Sequence, residues 1–193
     1  MERLIAELYA GRPVLLPTDT VYGLVARPAE RPVDALYELK GRRPEQPTAL
    51  LAATVEQLLE TIPELDEAVL RALLPGPYTL VLPNPAHRCP WLAGANKDAI
   101  GVRVPVLPPD AHHVVATVGC VAATSANDPG APDPVTLDEV PERIREACAA
   151  LDAGPLPGTP STVLDLTGEE PRVLREGAVP AADALARLRR RAE

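Results

Sequence analysis

The chain has 193 residues, 46% of them hydrophobic, which is enough for one domain with a core of its own. Its net charge of −8 argues against a protein that grips nucleic acid by neutralising phosphates. Three cysteines without paired spacing, no apolar run near ~20 residues and no charged-then-apolar leader argue against a disulfide scaffold, a membrane span or secretion, and predict a cytoplasmic protein.

In chain order, Leu4, Ile5 and Leu8 share one face of an opening helix that ends at Gly11. Val14–Leu16 reads as a buried strand. A helix from Pro32 carries Val33, Leu36 and Tyr37 on one face and stops near Gly41. Thr48–Ala53 is a second strand. Leu65, Val69, Ala72 and Leu73 mark a helix broken at Pro75-Gly76-Pro77, which leads into the strand Tyr78–Leu82. Ile100–Val104 and Cys120–Thr124 are further strands, with a helix over Ala111–Val118 between them. Leu137, Val140, Ile144 and Cys148 trace another helix, capped by Thr136. After a Gly/Pro-rich link come the strand Ser161–Leu166, a turn at Thr167-Gly168, a short strand Arg172–Leu174 and a last helix over Pro180–Arg190. Helices and strands mixed in this way, with no repeat and no interdomain linker, predict a single α/β domain over 1–193 with a mixed sheet. Phe is absent, so Leu, Val, Ile and Ala must fill the core.

Polar clusters gather where these strands run out, which is where open α/β sheets place ligands. Pro17-Thr18-Asp19-Thr20-Val21-Tyr22-Gly23-Leu24 follows the first strand, and Asp19 can cap its own backbone there. Lys40-Gly41-Arg42-Arg43 closes a helix, where cations complement the helix dipole or serve phosphate oxygens. Lys40 is also one of only two lysines, with Lys97. In Ile100-Gly101-Val102-Arg103-Val104, strand alternation turns Ile100, Val102 and Val104 to one side and Gly101 with Arg103 to the other. A guanidinium beside a bare glycine points to a cavity with an anionic occupant, or to an edge strand with Arg103 reaching solvent. Thr124-Ser125-Ala126-Asn127, Ser161-Thr162 and Arg175-Glu176-Gly177 sit at three more strand ends.

Other chemistries lack their parts. The chain has no Gly-x-x-x-x-Gly-Lys-Ser/Thr loop, no Gly-x-Gly-x-x-Gly fingerprint and no Gly-x-Ser-x-Gly elbow. His87 and Cys89 have no second ligand pair for zinc, and His112 and His113 fall within a helix.

From about Gly11 to Pro180 the ordered clusters resemble the YrdC-like threonylcarbamoyl-adenylate synthases in their short, single-domain form. The resemblance rests on Pro17–Leu24, Lys40-Gly41-Arg42, Pro75-Gly76-Pro77-Tyr78-Thr79, Gly101–Pro105, Ser125-Ala126-Asn127, Ser161-Thr162-Val163 and Leu174-Arg175. It implies a twisted, mostly β, mixed sheet with flanking helices around a deep cationic cavity. It also implies a reaction in which threonine and bicarbonate form a carbamate that attacks the α-phosphate of ATP, releasing pyrophosphate. By that resemblance Lys40, Arg42, Ser125, Asn127 and Arg175 handle ATP, with Lys40 and Arg42 catalytic. Thr18, Thr20, Tyr22, Arg103 and Ser161 handle threonine, and Mg²⁺ accompanies ATP without a dedicated protein cage. The product serves threonylcarbamoyladenosine formation in tRNA, with transient contact to tRNA or to the downstream transfer complex as a further implied partnership. Family members are also associated with double-stranded RNA. A non-enzymatic RNA-binding module on the same fold, and a carbamoyl or adenylyl transferase for another substrate, stand as alternatives. Arg43, Gln46, Thr48 and Asp133 depart from the family's usual residues, and Asp133 would set a carboxylate near phosphates.

Overall fold

A computed structural model of the chain describes residues 1–192. Its nine strands form one mixed sheet in the order β7-β1-β2-β6-β3-β5-β4-β8-β9. They are β1 Val14–Pro17, β2 Tyr22–Ala26, β3 Ala49–Leu51, β4 Tyr78–Pro83, β5 Ala99–Arg103, β6 Val121–Ser125, β7 Ala149–Ala150, β8 Thr162–Asp165 and β9 Arg172–Arg175. The helices are α1 Glu2–Tyr9, α2 Glu30–Lys40, α3 Val55–Thr61, α4 Glu67–Leu73, α5 Pro109–Val118, α6 Glu142–Ala147 and α7 Ala181–Ala192. The mixed α/β architecture expected from the sequence is the one observed, with parallel pairs at β1/β7, β3/β5 and β4/β8 and antiparallel pairs elsewhere.

Strand alternation divides the core in two. Leu24, Leu50, Leu80, Ile100, Val102, Ala122 and Leu164 point to the face covered by α2, α3, α4, α6 and α7, and form the larger cluster. Val14, Leu16, Val25, Leu51 and Val121 point to the opposite face, where α1 and α5 cover one end of the sheet. The rest of that second face is not covered by a helix layer, and the cavity described below opens there.

Four elements differ from the sequence reading, one of them the unread two-residue strand β7. Tyr22–Ala26 is a strand, antiparallel to β1 through the loop Thr18–Val21. All five of its residues are buried, so it shows no polar alternation to mark it. α3 also went unread. Its signal was Thr54, whose hydroxyl accepts from the Gln57 N–H at 3.3 Å, as Asp66 caps α4 by accepting from Ala68 and Val69. The helix expected over 137–148 is a 3-10 turn at Leu137–Glu139 followed by α6, because Pro141 between them has no N–H to continue one ladder. Thr136 makes no cap bond; Glu139 instead accepts from the Val135 N–H at 2.8 Å.

Candidate active site

The open part of the second face is a cavity of about 450 Å³. Its floor is built from alternate strand positions: Gly23 of β2, Ala49 of β3, Thr79 and Val81 of β4, Ala99, Gly101 and Arg103 of β5, Ala123 and Ser125 of β6, and Val163 of β8. Most of these are small. A Cβ at Gly101 would lie 3.8 Å from Ala49 and Thr79, an ordinary contact, so packing alone does not demand glycine there. Small side chains instead leave room over the sheet for a ligand. Three arginines, Arg42, Arg103 and Arg175, face this space, against one carboxylate among the lining residues, Asp133.

The hairpin loop supplies one wall. The Thr18 hydroxyl donates to the Val21 carbonyl at 2.7 Å and accepts from the Thr20 and Val21 N–H groups at 3.2 Å each. Its hydrogen is therefore committed to shaping the loop. Asp19 does not cap its own backbone. One carboxylate oxygen pairs with Arg103 and the other accepts from the Val106 N–H at 3.3 Å. Both side chains of the pair are about nine-tenths buried. Arg103 also donates to the Thr20 hydroxyl at 2.9 Å, while its Nε has no protein partner. Burial lowers the Arg103 pKa, with Asp19 opposing the shift. The expected facing of Gly101 and Arg103 into a cavity is thus what the fold places there.

Tyr22 is elsewhere. Because Gly23 faces the cavity, the neighbouring residue faces away, and the Tyr22 phenol donates toward Asp152 and the Gly154 carbonyl at 2.9 Å and accepts from the Ala153 N–H at 3.0 Å. It fastens β2 to the segment after β7 and does not line the cavity, which corrects its expected place among the threonine contacts.

The opposite wall begins where α2 ends. Gly41 takes φ +67°, a left-handed conformation that closes the helix and turns the chain between Lys40 and Arg42. Lys40 is only 3% exposed. Its ammonium donates to the Ser125 carbonyl, and at 2.8 Å to both the carbonyl and the side-chain oxygen of Asn127. The Ser125 hydroxyl donates to that same Asn127 oxygen at 2.6 Å. Lys40, Ser125 and Asn127 therefore form one cluster, of which Ser125 lines the cavity directly. Lys40 is thus a buried tie whose removal would take a donor from the Ser125 and Asn127 carbonyls, while the Asn127 side-chain oxygen would keep the Ser125 hydroxyl. Burial, then Arg42, lowers the Lys40 pKa to about 8, with Asp133 and Asp128 pulling the other way.

Arg42 donates to the Pro47 carbonyl and keeps Nε unpartnered, so its guanidinium is only partly engaged by protein. Thr48, next along this wall, has a buried hydroxyl with no partner. At the far end Arg175 donates to the Ser161 carbonyl at 3.0 Å and to its hydroxyl at 3.2 Å, and Ser161 and Thr79 share a hydroxyl bond of 2.8 Å. Asp19 and Thr79 were not among the expected contacts, whereas Asp133 lines the cavity as the sequence reading anticipated. Thr79 could have been found from the alternation of β4, since it shares a face with Val81.

The Sua5/YciO/YrdC family model, described as "Telomere recombination", matches residues 6–177. A Mycobacterium tuberculosis relative, provisionally named a threonylcarbamoyl-AMP synthase, is 36% identical over 181 residues, covering 91% of this chain and 82% of its own. The threonylcarbamoyl-AMP synthase of Vibrio campbellii is 32% identical over 187 residues, covering 91% of this chain and 98% of its own. Among solved structures, Pyrococcus abyssi Sua5 complexed with L-threonine superposes with a TM-score of 0.85 at 31% identity, over 95% of this chain. This chain spans only 56% of that archaeal protein.

Proposed function

Because the chain belongs to the Sua5/YrdC family, we propose that it is an L-threonylcarbamoyladenylate synthase, using the cavity on the open face of its sheet. The observation that carries this reading is the cavity itself. Three arginines surround a floor of small residues, in a fold whose threonine-bound relative superposes along nearly the whole chain.

In this reading the threonine amine condenses with bicarbonate, losing water, to give the carbamate. A carbamate oxygen then bonds to the α-phosphorus of ATP as the bond to the β-phosphate oxygen breaks, and pyrophosphate leaves. The site offers no side-chain nucleophile and needs none. Positioning, exclusion of water and cationic stabilisation of the spreading charge are what the chemistry asks for. Arg103, with Thr20 beside it, takes the threonine carboxylate, and Ser161 contributes a hydroxyl at the same end. Thr18 acts through the shape of its loop. Arg42, Arg175 and Ser125 meet the nucleotide, while Lys40 and Asn127 hold Ser125 in place and Lys40 supplies positive charge behind it.

Mg²⁺ would arrive on the nucleotide, where it neutralises phosphate charge. No cluster of three or more candidate metal-ligating side chains occurs among the described residues, but Asp133 is a carboxylate on the cavity wall, so the residues fit an ion shared with phosphates. No described helix is long and apolar enough to cross a membrane, in keeping with a cytoplasmic role. The acidic net charge supports a division of labour in which tRNA is held mainly by the enzyme that consumes the adenylate.

The test is pyrophosphate release from ATP, Mg²⁺ and bicarbonate with and without L-threonine. Release that requires threonine supports the proposal, and release indifferent to threonine rules it out.

A further inference from the structure

The three arginines of the cavity suit a polyphosphate, but Asp133 does not. Its side chain is half-buried on the cavity wall, and it makes no ion pair or hydrogen bond to another described residue. Nor is it free to swing out with a loose loop. The Asn127 side-chain amide donates to the Ala131 carbonyl at 2.6 Å, just before Asp133. The Pro134 carbonyl, just after it, accepts from the backbone N–H of Tyr22 at 2.9 Å. Asn127 is in turn the residue that receives Lys40 and Ser125. The carboxylate is therefore mounted on the same framework as the Lys40 cluster, and its charge, with that of Asp128, opposes the lowering of the Lys40 pKa.

A carboxylate facing a polyphosphate repels it. A divalent cation between the two reverses the sign, since a carboxylate and phosphate oxygens together make a hard-oxygen ligand set of the kind Mg²⁺ uses. We propose that Asp133 is a protein ligand for the Mg²⁺ carried by ATP, and that it makes the site select the metal-bound nucleotide over the free one. This rests on the reading of the chain as an ATP-using synthase. Asp133 thereby acts as a filter. Metal-free ATP meets a like charge, and MgATP meets a partner.

The experiment is calorimetric titration of the full chain with ATP, in excess Mg²⁺ and again in EDTA, for wild type, Asp133→Asn and Asp133→Ser. Thermal melting would confirm that each variant is folded. Wild type is expected to bind MgATP at least about tenfold more tightly than metal-free ATP, the scale set by adding one charge-assisted interaction and removing one repulsion. In both variants this ratio should fall to about threefold or less, and metal-free ATP should bind more tightly than it does to wild type. Variants that keep the full wild-type ratio would overturn the role of Asp133 while leaving the synthase reading intact. A wild-type chain that binds no ATP in either condition would overturn both.

Discussion

The Asp19–Arg103 ion pair is buried at the edge of the cavity, and it can be broken from either side. Replacing Asp19 with Ala leaves a guanidinium that is about nine-tenths buried without its counter-ion, and leaves the Val106 N–H without its acceptor. Breaking a buried pair from one side costs on the order of 3 kcal/mol, because the remaining charge is stranded. In a domain of this size that corresponds to a fall of about 6–12 °C in melting temperature. The asymmetry with Arg103→Ala is informative, and the double variant Asp19→Ala/Arg103→Ala should recover part of the loss. If Arg103 takes the threonine carboxylate, L-threonine should raise the melting temperature of Asp19→Ala by more than it raises that of wild type, since the ligand then supplies the missing charge. The measurement is differential scanning fluorimetry across a threonine series, with urea unfolding as a check. An Asp19→Ala protein that melts within about 1 °C of wild type would refute the reasoning, because it would mean that water already shields the pair.

Three further expectations follow from the opposite wall. Lys40 has its pKa lowered to about 8 in the free protein, and bound phosphate would hold its proton to higher pH, so ATP affinity should be constant below pH 8 and weaken as pH rises above it; calorimetry from pH 7 to 9.5 reads this, and a flat profile would remove the Lys40 charge from binding. For folding the sign is reversed: between about 8 and the ordinary lysine value of 10.5 the unfolded chain binds the proton that the folded chain has lost, so this group's contribution to stability rises with pH across that window and is level below it. At Thr48, a Thr→Val change removes a buried hydroxyl that has no partner and keeps the side chain's shape, so the variant should be more stable by about 1 kcal/mol in urea unfolding; a loss of stability would show that the hydroxyl is satisfied in solution.

What the sequence revealed and what it hid have a common cause. The facing of Gly101 and Arg103 was legible because strand alternation is local, and five neighbouring residues suffice to show it. β2 was not, because a strand buried on both faces carries no alternation and its residues looked like an ornamented turn. The depth of Lys40 was beyond reach for a different reason. Its acceptors lie 85 and 87 residues away, and only the antiparallel pairing of β6 with β2 and β3 brings Ser125 and Asn127 to the end of α2. Tyr22 was misplaced along with its strand, since a residue whose strand is unread has no assigned face. The ordered motifs identified the family, but which motif residues touch the cavity and which brace it depends on contacts between distant parts of the chain.

The strand order carries a consequence for how the protein comes into being. β7 completes one edge of the sheet beside β1, and β8 with β9 completes the other beside β4, so both edges wait for the last quarter of the chain. Ser161 and Arg175, which close one end of the cavity, arrive with those late strands. A polypeptide emerging from the ribosome therefore presents β1 to β6 with unpaired edges, and pairings of long sequence separation form slowly. Until synthesis has passed about Arg175, the nascent chain has no closed pocket to hold a nucleotide. Ligand can then stabilise only the finished molecule, which makes ATP and threonine late stabilisers of the fold rather than templates for it.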